Sequence, residues 1–537
     1  MASTGTEIVE VEALRVSTAK PEYLDNEEAE APSRLFRFTR YFLLAVTACI
    51  AIPFGSVHNG IYLPLSACVF ALTALHLVSA RSRIDETFAA HTTTLTTARL
   101  LGVFFAYIVL QSLFLRFSSE PHPVLGATSG ILRSGPFWSG ISMLAFFAST
   151  FFLARIYLVP HTSFKRTLIN AILCGGAVVS LIGISHWFYD TGKLFWFFEP
   201  DNVFISERAR WPFVNANHLG HFLLPIFFLF VARLGNELES VGDYQRRHQK
   251  NNRQALSHLA HSSRLQTRLI KVGFVFCFLL AVLLALVGTL SRGTWFGLSV
   301  AALAYFFLTR RRVTASNETP TEDEPRHRHT QRSSGSSKHK NAFSVEAFIM
   351  GVSRLARPTF VILAGIFLIF FFSERGRDLV SARIDYGLMY SKDDMRWQMY
   401  ADTLPMIKEH PLLGVGLGGW RAEFPRAMSP LLSGVEPVYL HSEPLQLIAE
   451  LGLIGFTIVC LLIFYCSIQG LKALALFKVS DHSRARTMTA LLCGMWGFFA
   501  ASFFDFPLRM PAIVFMLGIY LALTTAYTDS AQRSISR

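Results

Sequence analysis

Long apolar runs separated by short polar interruptions dominate this chain. Crossing a bilayer takes about 20 mainly apolar residues. Twelve stretches fit that pattern: 41–57, 61–80, 100–117, 137–158, 168–188, 218–234, 272–290, 295–309, 359–373, 445–468, 487–504 and 511–528. The eighth and ninth are short and need extension to span. Between the seventh and eighth, Ser291-Arg292-Gly293-Thr294 has room only for a tight turn at one membrane face. The pattern predicts an all-α polytopic membrane protein of about twelve transmembrane helices, with a large, partly helical loop between spans nine and ten. The chain then divides into a tail (1–34), spans one to nine (35–373), the loop (374–444), spans ten to twelve (445–528) and a short tail (529–537).

Composition agrees with that reading. Of 537 residues, 52% are apolar, 49 are Phe, and only 16% are charged, against roughly a quarter in soluble domains. Disordered, collagen-like and disulfide-stapled classes are excluded. All seven cysteines (Cys49, Cys68, Cys174, Cys277, Cys460, Cys466, Cys493) fall inside apolar runs. None has a CxxC or Cys/His partner at metal spacing, so they read as small buried hydrophobes. Residues 1–31 carry eight acidic side chains and no apolar stretch, which predicts a solvated tail without a secretory signal.

Sorting charge by side adds orientation. With the N-terminus inside, 33 of the 50 Lys and Arg residues fall in inside loops and 14 in outside loops. The positive-inside tendency accounts for the net +13 without invoking nucleic acid. Both termini are then cytoplasmic and the loop 374–444 lies on the far, periplasmic side. The inside segments 235–271 and 310–358 read as basic filler. His327, His329 and His339 sit in a stretch better described as flexible than as metal-binding. The sequon at Asn317 falls on the cytoplasmic side, where it carries no meaning. Segment 374–444 differs: it has Trp397, Trp420, Phe424, several Gly and Pro, and a helix-compatible stretch at Met395–Ile407. Loops of this length with such a composition are ordered and functional.

Candidate chemistry gathers on the outer side. Arg210, Arg292 and Arg396 stand at membrane edges where Arg is disfavoured. An interfacial anchor beside an aromatic explains one such Arg. For Arg210 and Arg292 together, recognition of a phosphate by guanidinium forks is the better account. His441 lies where loop 374–444 enters span ten, with Ser442 as a plausible N-cap and Pro444 in the first turn. Glu443, Gln446 and Glu450 follow at helical spacing as one polar stripe on an apolar helix. A His above an acidic stripe is a reasonable general base. The Gly414–Gly419 run formally contains GxGxxG, but no strand precedes it, and a tight turn seating the loop explains it better. Asp505-Phe506-Pro507-Leu508-Arg509 is an outer turn with both charge signs, read as a local ion pair.

Taken in order, several motifs resemble the bacterial O-antigen ligase and O-antigen polymerase superfamily. They are Asn215-Ala216-Asn217-His218, Ser291-Arg292-Gly293, Glu409-His410-Pro411-Leu412-Leu413-Gly414-Val415-Gly416-Leu417-Gly418, and His441-Ser442 through Gly455. The resemblance covers roughly 200–528 and departs at Ala216, where Pro is common, and at Ser442, where Asn is common. It implies a glycosyltransferase of the inner membrane. Such enzymes move a glycan from undecaprenyl diphosphate to an acceptor hydroxyl on the periplasmic face, with no metal and no other cofactor. By the resemblance Arg210 and Arg292 hold the diphosphate and His441 is the catalytic base; Arg396 is added to the diphosphate candidates from its outer position alone. Glu443 or Glu450 would orient or tune it. Asn215, Asn217, Trp397 and Trp420 are weaker candidates for sugar or lipid contact. The acceptor stays open among lipid A-core, a growing polysaccharide and a protein hydroxyl. A polytopic glycan or lipid transporter and a non-enzymatic assembly subunit are the rivals from other classes.

Overall fold

The computed structural model describes residues 33–79, 91–118, 135–158, 162–189, 191–198, 208–249, 263–310, 395–432, 434 and 437–534. The acidic tail, most of the basic segment 310–358, the ninth expected span (359–373) and the start of the outer loop lie outside these residues. Two compact units divide the chain, Met1–Phe42 and Leu43–Arg537. Of the first, the described part is the opening of helix α1; everything that follows concerns the second.

Helices in chain order are α1 (Arg34–Cys49), α2 (Asn59–Ser79), α3 (Thr92–Ser118), α4 (Gly135–Leu158), α5 (Thr162–Phe188), α6 (Ala216–Gln249), α7 (Ser263–Gly288) and α8 (Arg292–Thr309). After them come α9 (Met395–Glu409), α10 (Trp420–Ala427), α11 (Glu443–Ser480), α12 (His482–Ala501) and α13 (Pro511–Arg533). Among the described residues there is no β-strand, and nine helices are long and apolar enough to cross a membrane. The protein is an all-α polytopic membrane protein. Eleven of the twelve expected spans overlap helices in the described residues, and nine of those helices are long and apolar enough to span.

Three boundaries differ from the hydropathy reading. Helix α6 continues to Gln249 and α7 begins at Ser263, so much of the basic segment 235–271 is helical rather than filler. These polar extensions are tied down by side chains: Arg486 donates to Asn236 (2.6 Å), Arg268 donates to the Ser240 carbonyl (2.7 Å), and Arg233 pairs with Glu237 (2.9 Å). Hydropathy is blind to a helix that stays helical after leaving the apolar layer. Third, span ten is two pieces, joined at Gly452.

Helix α13 is buried along its whole length and α6 along most of it, whereas α2, α3, α7 and α11 present apolar side chains outward. Such outward chains suit a lipid environment, in which every backbone group must be bonded internally. Small residues set the closest helix approach. A Cβ at Gly297 would lie 2.3 Å from the Gly497 carbonyl, so α8 and α12 pack backbone to backbone there.

The break in α11 positions the site. Gly452 has φ +64° and ψ −176°, which interrupts the helical hydrogen bonds on both sides. The outer loop supplies replacements. Val415 and Gly416 donate their N–H groups to the Ala449 and Glu450 carbonyls (3.0 and 2.8 Å). Leu453 and Ile454 donate to the Pro411 and Leu412 carbonyls (2.9 and 3.2 Å). Tyr107 and Gln111 of α3 add side-chain donors to the Leu451 and Glu450 carbonyls. The Gly-rich run is thus the tight turn expected from sequence, with Gly414, Gly416 and Gly418 all at positive φ. Residues 453–480 make about 42 Å of helix at 1.5 Å per residue, enough to span by themselves.

A side chain at Gly452 would meet the Leu412 carbonyl at 2.1 Å in a backbone conformation open mainly to Gly. Gly452→Val is therefore expected to cost about 2 kcal/mol or more. It should lower the detergent-solubilised unfolding midpoint by several degrees; an unchanged midpoint would contradict the exchange of hydrogen bonds described here.

Candidate active site

His441 sits at the seam between outer loop and α11. Its φ is +59°, a left-handed conformation unusual for a residue with a side chain. Two contacts hold it: the Tyr400 hydroxyl on α9 donates to the His441 carbonyl (2.8 Å), and the preceding Leu440 N–H donates to Gln446 (3.2 Å). The imidazole edge packs on Phe506. Its Nδ1 faces Asp505 Oδ1 at 3.6 Å, and the histidine side chain keeps 30% of its surface exposed while Asp505 keeps 1%. On the other carboxylate oxygen, His218 Nε2 of α6 stands at 3.7 Å.

Burial opposes ionisation of Asp505. The imidazoles of His218, His441 and His221 outweigh it, and hold the carboxyl below the ordinary carboxylate range. Asp505 is placed by backbone as well: its carbonyl accepts the Glu443 N–H (3.0 Å), which ties the α12–α13 turn to the start of α11. The expected Asp505–Arg509 ion pair is therefore replaced by two separate partnerships. Arg509 pairs with Glu450 instead (3.1 Å). The neighbouring carboxylates of Glu450 and Glu443 raise the Arg509 pKa against the cost of burial.

The acidic stripe is bonded inward. Glu450 accepts from Gly418 N–H (2.9 Å), from Arg509 and from the Gln446 amide (2.9 Å). Glu443, also buried, accepts from Leu508 N–H (3.3 Å). Neither carboxylate has a described hydrogen bond to His441; the acid that faces the imidazole is Asp505. It is a residue the sequence reading held as part of a local ion pair, with the turn kept as a second-tier candidate. Its signal was present in the outer turn but cannot be separated from a local charge pair without the third dimension.

Three arginine-bearing segments meet beside this centre. Gly293, next to Arg292 at the exposed start of α8, packs on Phe504. Arg396 of α9 donates to the Phe504 carbonyl (3.4 Å). The segment holding Arg210 runs along the same α7–α8 turn, where Ala209 N–H donates to the Gly288 carbonyl (2.7 Å). Arg210 itself is buried, with its guanidinium over the Trp211 ring. Arg208, which sequence reasoning passed over, ties these parts together by donating to the Thr289 carbonyl (2.7 Å) and to Asn217 (2.6 Å). Alternation of Arg208 and Arg210 in an extended stretch was the signal for it.

The weaker candidates separate clearly. Asn215 accepts from Asn217 N–H (2.9 Å) and so caps α6, and the Asn217 oxygen is taken by Arg208. Trp397 is exposed and packs edge-on against Tyr400. Trp420 differs from the sequence expectation: it is 0% exposed and stacked on Phe424, with its N–H on Thr403 (3.1 Å). Its ring belongs to the apolar core of the loop, with Met399, Met406, Leu432 and Leu440, and is closed to a sugar. Among the described residues no group of three or more His, Cys, Asp or Glu is arranged to hold a metal ion.

Residues 276–460 match the family model for O-antigen ligase. Over these residues, about a third of its length, the chain is similar to the O-antigen ligase family. The matched stretch holds the α7–α8 turn with Arg292, the described part of the outer loop, His441 and the Gly452 break; Arg210, His218, Asp505 and Arg509 lie outside it. Among curated proteins no match was found.

Since Asp505 is more acidic folded than unfolded, its stabilisation is complete above the unfolded carboxylate pKa, about 3.9. It is lost as pH falls below that value. Asp505→Asn is expected to unfold below wild type at neutral pH, with the gap closing in thermal scans taken at progressively lower pH. A gap independent of pH would contradict the ionised Asp505.

Proposed function

We propose that this protein transfers a glycan from undecaprenyl diphosphate to an acceptor hydroxyl at the periplasmic face of the bacterial inner membrane, with both termini cytoplasmic. The observation that carries this reading is the His441–Asp505 pair, set beside three arginine-bearing segments within and around the O-antigen ligase match.

His441 Nε2 takes the proton of the acceptor hydroxyl as that oxygen attacks the anomeric carbon. The bond from that carbon to the diphosphate breaks, and undecaprenyl diphosphate leaves with the electron pair. Asp505, on the Nδ1 side, keeps the imidazole in the tautomer that accepts at Nε2 and stabilises the imidazolium that forms. Arg210 and Arg292, with Arg396 beside them, bind the diphosphate and offset the negative charge growing on the leaving oxygen. Attack opposite the leaving group inverts the anomeric centre. The leaving diphosphate already carries the activation, so no nucleotide is consumed. Glu450 acts at one remove, by fixing Arg509 and the Gly-rich turn, and is a positioning residue in this scheme.

A cavity of about 210 Å³ supports a lipid-linked donor. Its walls are apolar residues such as Phe104, Leu144, Leu447 and Val514, and it reaches Glu443 and Arg509 at the site end. An isoprenoid tail suits such walls, with the diphosphate left at the polar edge. Trp397, exposed beside Arg396, offers an apolar face to a sugar. The same chemistry serves lipid A-core, a growing polysaccharide or a protein hydroxyl as acceptor.

General-base catalysis is worth about 10²–10⁴ in rate, so His441→Ala, inserted normally in reconstituted membranes, is expected to lose transfer by about that factor. Arg292→Lys keeps the charge and loses the fork. Its donor KM should rise by about tenfold or more, a loss on the scale of one charge-assisted hydrogen bond. Wild-type transfer by His441→Ala would sink the base assignment, and an unchanged donor KM in Arg292→Lys would sink the clamp. Glycan flux into vesicles without covalent transfer would instead favour a transporter.

A further inference from the structure

A second buried polar cluster lies at the other end of the bundle. Arg509 precedes the first turn of α13, and Asp529 lies in its last turns; eighteen residues of helix from Pro511 place them about 27 Å apart. Around Asp529 the start of α3 and the end of α4 converge. Asp529 accepts from Thr93 N–H (3.0 Å), the Thr94 hydroxyl (2.6 Å) and Arg155 (2.8 Å). Arg155 also donates to Thr94 (2.7 Å), and Lys165 of α5 donates to Ser530 (2.8 Å).

Two features are not explained by helix pinning. The first is a charge imbalance. Among the described residues, the groups whose charge acts on His91 are three cations, Arg155, Arg533 and Lys165, against one carboxylate, Asp529. The second is unmet bonding. His91, just before α3, is 1% exposed, yet neither ring nitrogen has a hydrogen-bond partner among the described residues; Arg155 Nη1 is in the same position. Burial and the neighbouring cations lower the His91 pKa to about 4. The ring is therefore neutral at pH 7, with one N–H to give. A buried polar group without a partner is costly, and here two such groups stand in a buried cluster with excess positive charge at the N-terminus of α3, itself an anion-favouring feature.

We propose that this cluster binds a phosphate oxyanion, supplied by the headgroup of an anionic phospholipid. The phosphate oxygens would accept from Arg155 Nη1, from the His91 N–H and from Lys165, whose ammonium supplies charge at the edge of the cluster. The excess positive charge would be neutralised without disturbing Asp529. The cluster sits at the ends of spanning helices, which is the depth of phospholipid headgroups. It is separate from the donor diphosphate site by nearly the thickness of the bilayer.

The test uses the full-length protein in detergent, with thermal unfolding followed during titration with phosphatidylglycerol, phosphatidylcholine or inorganic phosphate. Wild type is expected to show a saturable rise in unfolding midpoint with phosphatidylglycerol that phosphatidylcholine does not reproduce. Lys165→Gln and His91→Gln should each weaken that response at least tenfold in lipid concentration, and Lys165→Arg should retain it. A rise with inorganic phosphate alone, lost in both variants, upholds the anion site and identifies the free ion as its ligand. If Lys165→Gln does not fold, the comparison rests on His91→Gln and Lys165→Arg. The proposal is overturned if wild type responds to neither lipid nor phosphate, or if the folded variants respond to phosphatidylglycerol as wild type does.

Discussion

The exchange of backbone hydrogen bonds at Gly452 is the constraint on which the rest of the site depends. A helix cannot stop within an apolar layer unless its freed N–H and C=O groups find partners. Here residues 411–416 provide them in both directions, so the break in α11 and the fold of the outer loop are a single event. With the loop fixed, Gly418 N–H reaches Glu450, Glu450 holds Arg509, and the α12–α13 turn that carries Asp505 is pinned against α11. His441 lies at the point where these pieces meet. A buried pair such as Glu450–Arg509 adds little net stability compared with apolar packing, but it is costly to break from one side. Its value is in fixing geometry.

Much of the fold was legible in the sequence because hydropathy reports burial in lipid directly. It was least legible where helices leave the apolar layer, as in α6 and α7, and where one apolar run hides two helices, as at Gly452. After Glu450 the run Leu451-Gly452-Leu453-Ile454-Gly455 has no polar interruption, and only the loop that pairs with it reveals the break. The candidate site was legible in part. The outer arginines stood out because such residues are disfavoured on that side, and His441 because it stands above an acidic stripe where the loop enters span ten. Asp505 did not, because pairing with the arginine four residues on was the simplest expectation in one dimension. Trp420 illustrates the converse: an aromatic in a functional loop turned out to be that loop's own core.

Composition gains meaning from this arrangement. The basic excess that looked at first like one property of the chain resolves into three kinds of residue. Most arginines and lysines lie on polar segments between the apolar runs. A few, such as Arg208 and Arg509, are structural ties at the outer side. Arg292 and Arg396 lie on the segment that matches O-antigen ligase, and Arg396 donates to the carbonyl of Phe504, next to Asp505. Helix α13 connects this outer centre to the inner polar cluster while being buried throughout.

The central claim is that His441 and Asp505 act as one unit in proton transfer. A double-mutant cycle on the transfer rate tests it most directly, with His441→Ala, Asp505→Asn and the double variant measured in the same reconstituted membranes. The account predicts that the double variant is no slower than His441→Ala alone, because Asp505 has nothing to assist once the imidazole is gone. Losses that multiply, with the double variant slower by the product of the two single effects, would contradict it.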